Sequence, residues 1–232
     1  MTREWELPLW GRWHTVIDLH SHSIFSDGEL IPSELARRAM VAGYRAIAIT
    51  DHGDQSNIDF IIPRLVKVCQ KLTDAYAIQV IPGIEITHVP PEYIFELALE
   101  ARKHGAKIVV VHGETIVEPV ISGTNMAALQ SSIDILAHPG LITEEESLLA
   151  AENSIYLEIT TRKGHSLTNG HVARVARRTK APLILNNDSH SPRDLVNKEM
   201  ARKIALGAGL TEEETGIMFH NSELLLKKAS EK

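Results

Sequence analysis

Seven short runs rich in β-branched residues, each closed by turn residues and followed by a stretch of helical character, constrain this chain more than any other feature. They are Val16–Leu19, Ala46–Thr50, Ile78–Ile86, Lys107–Val111, Ile133–Ala137, Ile155–Thr160 and Pro182–Asn186. Most are apolar at consecutive positions, as strands covered on both faces are, whereas strands of a one-sided antiparallel sheet alternate. Strand–helix repetition of this kind builds a parallel sheet. The intervening helices are expected over Pro32–Ala42, Asn57–Leu72, Glu92–His104, Met126–Ser131, Glu144–Glu152, Asn169–Thr179 and Pro192–Leu206, then Thr211–Met218 and Asn221–Lys228. Gly43 and Gly105 stand where a helix ends. Nothing advertises a free edge or a strand-order reversal, so the reading is an α/β fold closed or nearly closed into a barrel.

In such barrels the functional groups collect at the C-terminal ends of the strands. The first run leads into Asp18-Leu19-His20-Ser21-His22, and H-x-H on an extended chain sends both imidazoles to one side. Ser26-Asp27-Gly28 follows in a tight turn. The later runs end in Asp51-His52-Gly53, Gly83-Ile84-Glu85, His112-Gly113, His138-Pro139-Gly140 and Asp188-Ser189-His190. A lone histidine at a strand end is more often a hydrogen-bonded structural residue than a ligand. Here six of the 12 histidines occupy such ends and three carboxylates join them. Packing gives no reason for that concentration, and buried charges of this kind are costly unless paired or metal-bound. His14, His104, His171 and His220 have ordinary surface or capping explanations. His88, close after Glu85, and His165, in the loop after the sixth run, stand nearer the chemistry.

The ordered set DLHSHS, SDG, ITDHG, PGIE, VHGE, AHPG and NNDSH resembles the motif series of the PHP (polymerase and histidinol phosphatase) superfamily, over Asp18 to His190. The resemblance implies a distorted seven-stranded (β/α)7 TIM-like barrel with a trinuclear metal centre. Its ligands would be His20, His22, Asp27, His52, Glu85, His112, His138, Asp188 and His190. On that analogy His20, His22, Glu85 and Asp188 hold one ion, and Glu85 bridges to a second on His112 and His138. Asp27, His52 and His190 hold the third. Two or three divalent ions are expected; mixed imidazole and carboxylate donors suit zinc, manganese or iron. The domain reading is one PHP-type unit over 1–232, with an N-terminal extension (1–14), the motif-bearing barrel (15–190) and C-terminal helices (191–232).

The expected activity is hydrolysis of a small phosphate ester, a phosphomonoester such as histidinol phosphate or a nucleotide before a diester, by a metal-bound hydroxide with no protein nucleophile. Three divalent ions would leave the pocket with a surplus of about three positive charges over Asp27, Glu85 and Asp188, which draws in phosphate. The candidate leaving-group acids are a metal-bound water and His165. Arg162 and Lys163, in the loop that follows the one strand expected to bring no ligand, and Arg193 are the candidate phosphate clamps. The alternatives are a phosphodiesterase or exonuclease on nucleotides or short single strands, and a non-catalytic RNA-binding barrel resembling a ribonuclease P protein subunit. Few, scattered aromatic residues and a net charge of −6 weigh against nucleic acid. The one cysteine, Cys69, allows no internal disulfide and is expected to be buried; no run approaches membrane-spanning length and no signal peptide is evident. The expected setting is the cytoplasm, without a membrane partner, and Trp5, Trp10 and Trp13 are assigned either to the barrel floor or to a subunit contact.

Overall fold

A computed structural model describes residues 16–231; the segment bearing Trp5, Trp10, Trp13 and His14 lies outside them. In chain order the elements are β1 (Val16–Asp18), α1 (Pro32–Val41), β2 (Tyr44–Ile49), β3 (His52–Gly53), α2 (Ile58–Ala75), β4 (Gln79–Ile86), α3 (Pro91–Lys103), β5 (Ile108–His112), α4 (Thr124–Leu129), β6 (Ile135–Ala137), α5 (Glu144–Glu152), β7 (Tyr156–Thr160), α6 (Asn169–Thr179), β8 (Leu183–Asn186), α7 (Lys198–Gly207) and α8 (Glu212–Glu231). The strands pair in parallel in the order β1-β2-β4-β5-β6-β7-β8, with the two-residue β3 added alongside β4. This is the α/β TIM-like barrel that the strand rhythm implies.

The seam between β1 and β8 is closed just beyond the two strands. Ser21 and Ser189 form a parallel bridge. His22 donates its backbone N–H to the Ser189 carbonyl at 2.8 Å, and Asp188 donates to the His20 carbonyl at 3.0 Å. Below the bridge, side chains replace the missing ladder. Leu19 N–H donates to Asn186 Oδ1 at 2.9 Å, and Asn187 donates from its backbone and side chain to Asp18 at 3.1 and 2.9 Å. The barrel therefore closes through the segments that carry the candidate ligands.

Two apolar clusters hold the layers together. The larger lies between strands and helices and includes Ile47, Ile49, Ile84, Val109, Leu136 and Leu157, with Cys69 buried among them. The smaller fills the barrel interior with Ile17, Leu19, Ala46, Ala48, Ile81, Ile108, Val110, Ile135, Ala137 and Ile184, and it contains Leu225, Leu226 and Ala229 of α8. Asn221 donates to the Leu183 carbonyl at the start of β8, and Gln79 at the start of β4 donates to Ser230. The C-terminal helix thus crosses the N-terminal ends of the strands as a floor.

The helix bounds differ from expectation at the C-terminus. The two helices expected over 211–228 are one, α8, because no breaker separates Met218 from Asn221; its start is tied by Glu214 N–H donating to Thr211 Oγ1 at 3.1 Å. The helix expected from Pro192 begins at Lys198, where Asn197 Oδ1 accepts from Met200 N–H at 2.9 Å. Residues Pro192–Asp194 form a separate 3-10 turn. Asp194 accepts there from the backbone N–H groups of His190 and Ser191 at 3.1 and 2.8 Å, which fixes the chain as it leaves the site.

Leu225 is almost fully buried and Leu224 is about half exposed. Leu225→Ala is expected to lower unfolding free energy by about 2–5 kcal/mol, and Leu224→Ala by no more than ~0.5 kcal/mol, in urea titrations. Equal effects would show that α8 is not seated on the barrel floor.

Candidate metal centre

The candidate ligands lie on the C-terminal rim because each follows or ends a strand. Two of them, His138 at φ 28° and Asp188 at φ 51°, adopt left-handed backbone conformations that side chains other than glycine rarely take. The turns after β5 and β6 interlock. A Cβ on Gly113 would lie 2.3 Å from the Ala137 carbonyl oxygen, and one on Gly140 (φ 62°) would lie 1.8 Å from that of Glu114. Only glycine admits this approach, which sets the His112 and His138 rings edge to face with centroids 4.4 Å apart. Buried Asp51 builds the turn that carries Asp27, accepting from Ser23 N–H and Oγ at 2.7 Å each and from Ser26 Oγ at 2.8 Å.

All nine expected ligands are brought together. Glu85 is central: Oε1 lies 3.3 Å from His20 Nε2 and 3.8 Å from His138 Nε2, while Oε2 lies 3.6 Å from His22 Nε2 and 2.8 Å from His52 Nδ1. Asp188 Oδ1 is 3.2 Å from His22 Nε2, and its Oδ2 is 3.6 Å from His138 Nε2. Asp27, 55% exposed at the rim, faces His190 Nε2 at 3.1 Å and His52 Nε2 at 3.4 Å. Compact donor groups are His20, His22 and Glu85; His22, Asp27, His52 and His190; and His112, His138 and His165. His22 thus stands between two groups that the family analogy kept apart, and His165 stands with His112 and His138.

The donor atoms face one another as acceptors. The carbonyl oxygens of Gly113 and Asp188 can only accept, so at 3.1 and 3.0 Å they take the Nδ1–H of His112 and His190 and leave each Nε2 lone pair pointing inward. Glu158 does the same for His20, whose Nδ1 lies 2.8 Å from Oε2. The Nε2 atoms of His20 and His22 are then only 3.1 Å apart. His22 Nδ1, His138 Nδ1 and Glu85 Oε1 are buried without any hydrogen-bond partner. Each such atom costs roughly 1–3 kcal/mol unless something satisfies it. Divalent ions fit this donor set and would satisfy several of these atoms at once.

Without ions, protons carry the compensating charge. Burial opposes ionisation of Glu85, yet His20 and His52 beside it hold its carboxyl well below the ordinary range. Burial also opposes charge on His20 and His52, but Glu158 and Glu85 lift the first well above the usual imidazole value, and Glu85 and Asp27 lift the second to about 10. Burial dominates for Asp188, pushed up to about 7, and for His22 and His138, held well below the usual value.

Two carboxylates escaped the sequence reading. The run that forms β7 is expected to bring no ligand, but Glu158 lies fully buried in it, bonded to His20 and accepting from Asn186 Nδ2 at 3.0 Å. An acid within the apolar run Ile155–Thr160 was its signal. Glu118, between β5 and α4, reaches His112, His88 and His165; nothing in its surroundings in the sequence marks it. A cavity of about 260 Å³ opens over the centre, walled by Asp27, His52, Glu118, Arg162, His165 and Asp188, among others. Of the expected clamps, Arg162 lies on that wall, 3.5 Å from Asp194 and 3.9 Å from Asp188. Lys163 and Arg193 are exposed and do not line it. His171 donates to or accepts near no candidate ligand and instead pairs with the Ile142 carbonyl.

Residues 18–175 match the family profile described as PHP domain. An uncharacterized protein of Methanocaldococcus jannaschii is 49% identical over 214 residues, covering 91% of this chain and 98% of its own length. A probable phosphatase of Thermoanaerobacter (26% over 220 residues; 85% and 88% of the two chains) and ribonuclease P protein component 3 of Methanosarcina barkeri (26% over 204 residues; 81% and 79%) are equally distant. Among solved structures, a chain of archaeal ribonuclease P with mature tRNA superposes with a TM-score of 0.70 at 15% identity, covering 91% of both chains. Histidinol phosphate phosphatase of Lactococcus lactis, complexed with zinc, L-histidinol and phosphate, superposes with 0.58 at 17%, covering 84% and 94%. The two structural likenesses show the fold.

Raised imidazole values make the metal-free protein sensitive to base. A raised histidine contributes stability that is complete below its unfolded value of about 6.5 and lost as pH rises through its folded value, about 10 for His52. Burial raises the Cys69 thiol, which acts in the same direction. Chelator-treated protein is therefore expected to unfold at progressively lower urea concentration from pH 6.5 to 10. A constant midpoint over that range would contradict the paired imidazolium–carboxylate arrangement.

Proposed function

The chain belongs to the PHP domain family, and from that premise we propose that it is a metal-dependent hydrolase of small phosphate esters, monoesters foremost. The carrying observation is the convergence of His20, His22, Asp27, His52, Glu85, His112, His138, Asp188 and His190 beneath one cavity with a guanidinium on its wall. Two or three divalent ions held by these residues, zinc, manganese or iron by donor type, would supply an activated water and positive charge for the phosphate oxygens.

The chain's own groups do the rest. Arg162, held by Asp194, presents paired N–H donors to the non-bridging oxygens of phosphate. His165 Nδ1 pairs with Thr115 Oγ1 at 2.8 Å; with that hydroxyl donating, the ring proton sits on Nε2, which faces Glu118 at 3.3 Å and is the atom that would serve the leaving oxygen. Glu158 fixes the ring of His20, and Asp51 fixes the turn of Asp27. A cavity near 260 Å³ lies just below the roughly 300–1,000 Å³ typical of small-molecule sites. That size and the net charge of −6 favour a compact monoester over an extended strand.

Glu85→Ala is expected to lower kcat toward a panel of phosphomonoesters by at least ~10³ while the fold persists. Arg162→Ala should lower kcat/KM roughly 10–100-fold, chiefly through KM, as expected for a charged hydrogen bond of ~1.5–3 kcal/mol. Full turnover by Glu85→Ala would overturn the metal-centre assignment, and faster turnover of diesters than of monoesters would overturn the substrate class.

A further inference from the structure

Glu118 has no part in the nine-residue set, yet it reaches into it. Its Oε2 lies 3.1 Å from His112 Nε2 and 3.3 Å from His88 Nε2, and its Oε1 lies 3.3 Å from His165 Nε2. The ligand atoms of His88, His112 and Glu118 all fall within 4.8 Å of one another. Two imidazoles and one carboxylate are a donor set that zinc, manganese and ferrous iron accept. Edges near 3 Å are those expected between neighbouring ligands of one ion at bond lengths of about 2.0–2.2 Å. His88 takes a left-handed φ of 53°, a strained setting that carries its imidazole at the mouth.

His112 limits what this cluster can be. Its Nδ1 is committed to the Gly113 carbonyl, so Nε2 is its single free nitrogen. On the buried side that nitrogen belongs with His138; on the solvent side it belongs with His88 and Glu118, which are 42% and 38% exposed. One lone pair serves one ion at a time. We propose that His112 is shared between two alternative seats for a single divalent ion, an inner one with His138 and an outer one with His88 and Glu118, and that the ion enters through the outer seat. The inference rests on the metal-centre reading above and adds the route by which that centre fills.

The test is the rate at which metal-stripped protein takes up Co²⁺, followed by stopped-flow visible absorption in wild type, His88→Ala and Glu118→Gln. Both variants are expected to load at least roughly tenfold more slowly and to reach the same number of bound equivalents. His88→Ala removes no negative charge, so its slowing separates a ligand from simple attraction of cations to Glu118. Wild-type loading rates in His88→Ala would overturn the outer seat. Loss of one equivalent at equilibrium in both variants would overturn the sharing and make the outer cluster an independent site. A wild-type protein that binds no Co²⁺ would remove the metal-centre reading itself, and with it the seats.

Discussion

Ring nitrogens and carboxylates crowded into a buried space need protons or cations between them to stay together. His20 Nε2, His22 Nε2, Glu85 and Asp188 meet at such a place, and two ring nitrogens there stand 3.1 Å apart. The rest of the fold supplies the constraint. Interlocked glycine turns, left-handed backbone at His138 and Asp188, and the Ser21–Ser189 bridge each remove a way for these groups to separate. The apolar interior and the α8 floor supply burial free energy against which that strain is held.

Hydrogen bonds on the outward side of the rings complete the logic. Glu158 and the carbonyls of Gly113 and Asp188 take one nitrogen each from His20, His112 and His190 and so decide which nitrogen looks inward. These partners tune donor strength as well as direction, because a carboxylate behind an imidazole makes it a better electron donor than a carbonyl does. The family likeness runs equally to a probable phosphatase and to a ribonuclease P component. The phosphoesterase reading therefore rests on the side chains at the rim, and the fold alone would serve either.

Most of the barrel was legible because its strands are buried on both faces and therefore written as continuous apolar runs. The nine converging groups were legible because each sits in a short motif at a strand end or, for Asp27, in the turn beyond one. Glu158 leaves a weaker mark, one acid in the middle of an apolar strand rather than at its end. Glu118 left none: a loop glutamate three residues after Thr115 looks like any solvated residue until the loop is placed in space. The split at Lys198 turned on a single cap by Asn197, and the unbroken α8 on the absence of any breaker between Met218 and Asn221. Such local choices are weakly encoded beside a strand pattern. Of the three expected clamps, only the direction in which the loop turns distinguishes Arg162 from Lys163, and composition does not carry direction.

The bridge between Ser21 and Ser189 also sets an order of events during synthesis. Contacts across that seam join residues as many as 169 positions apart, so the two halves of the first donor group meet only when nearly the whole barrel has been made. Non-local closure of this kind is slow relative to the formation of the intervening helices. A nascent or truncated chain ending before Asp188 would hold H-x-H and Glu85 without the carboxylate that faces His22 and His138. The rim therefore takes its final shape only in molecules whose last strand is already in place.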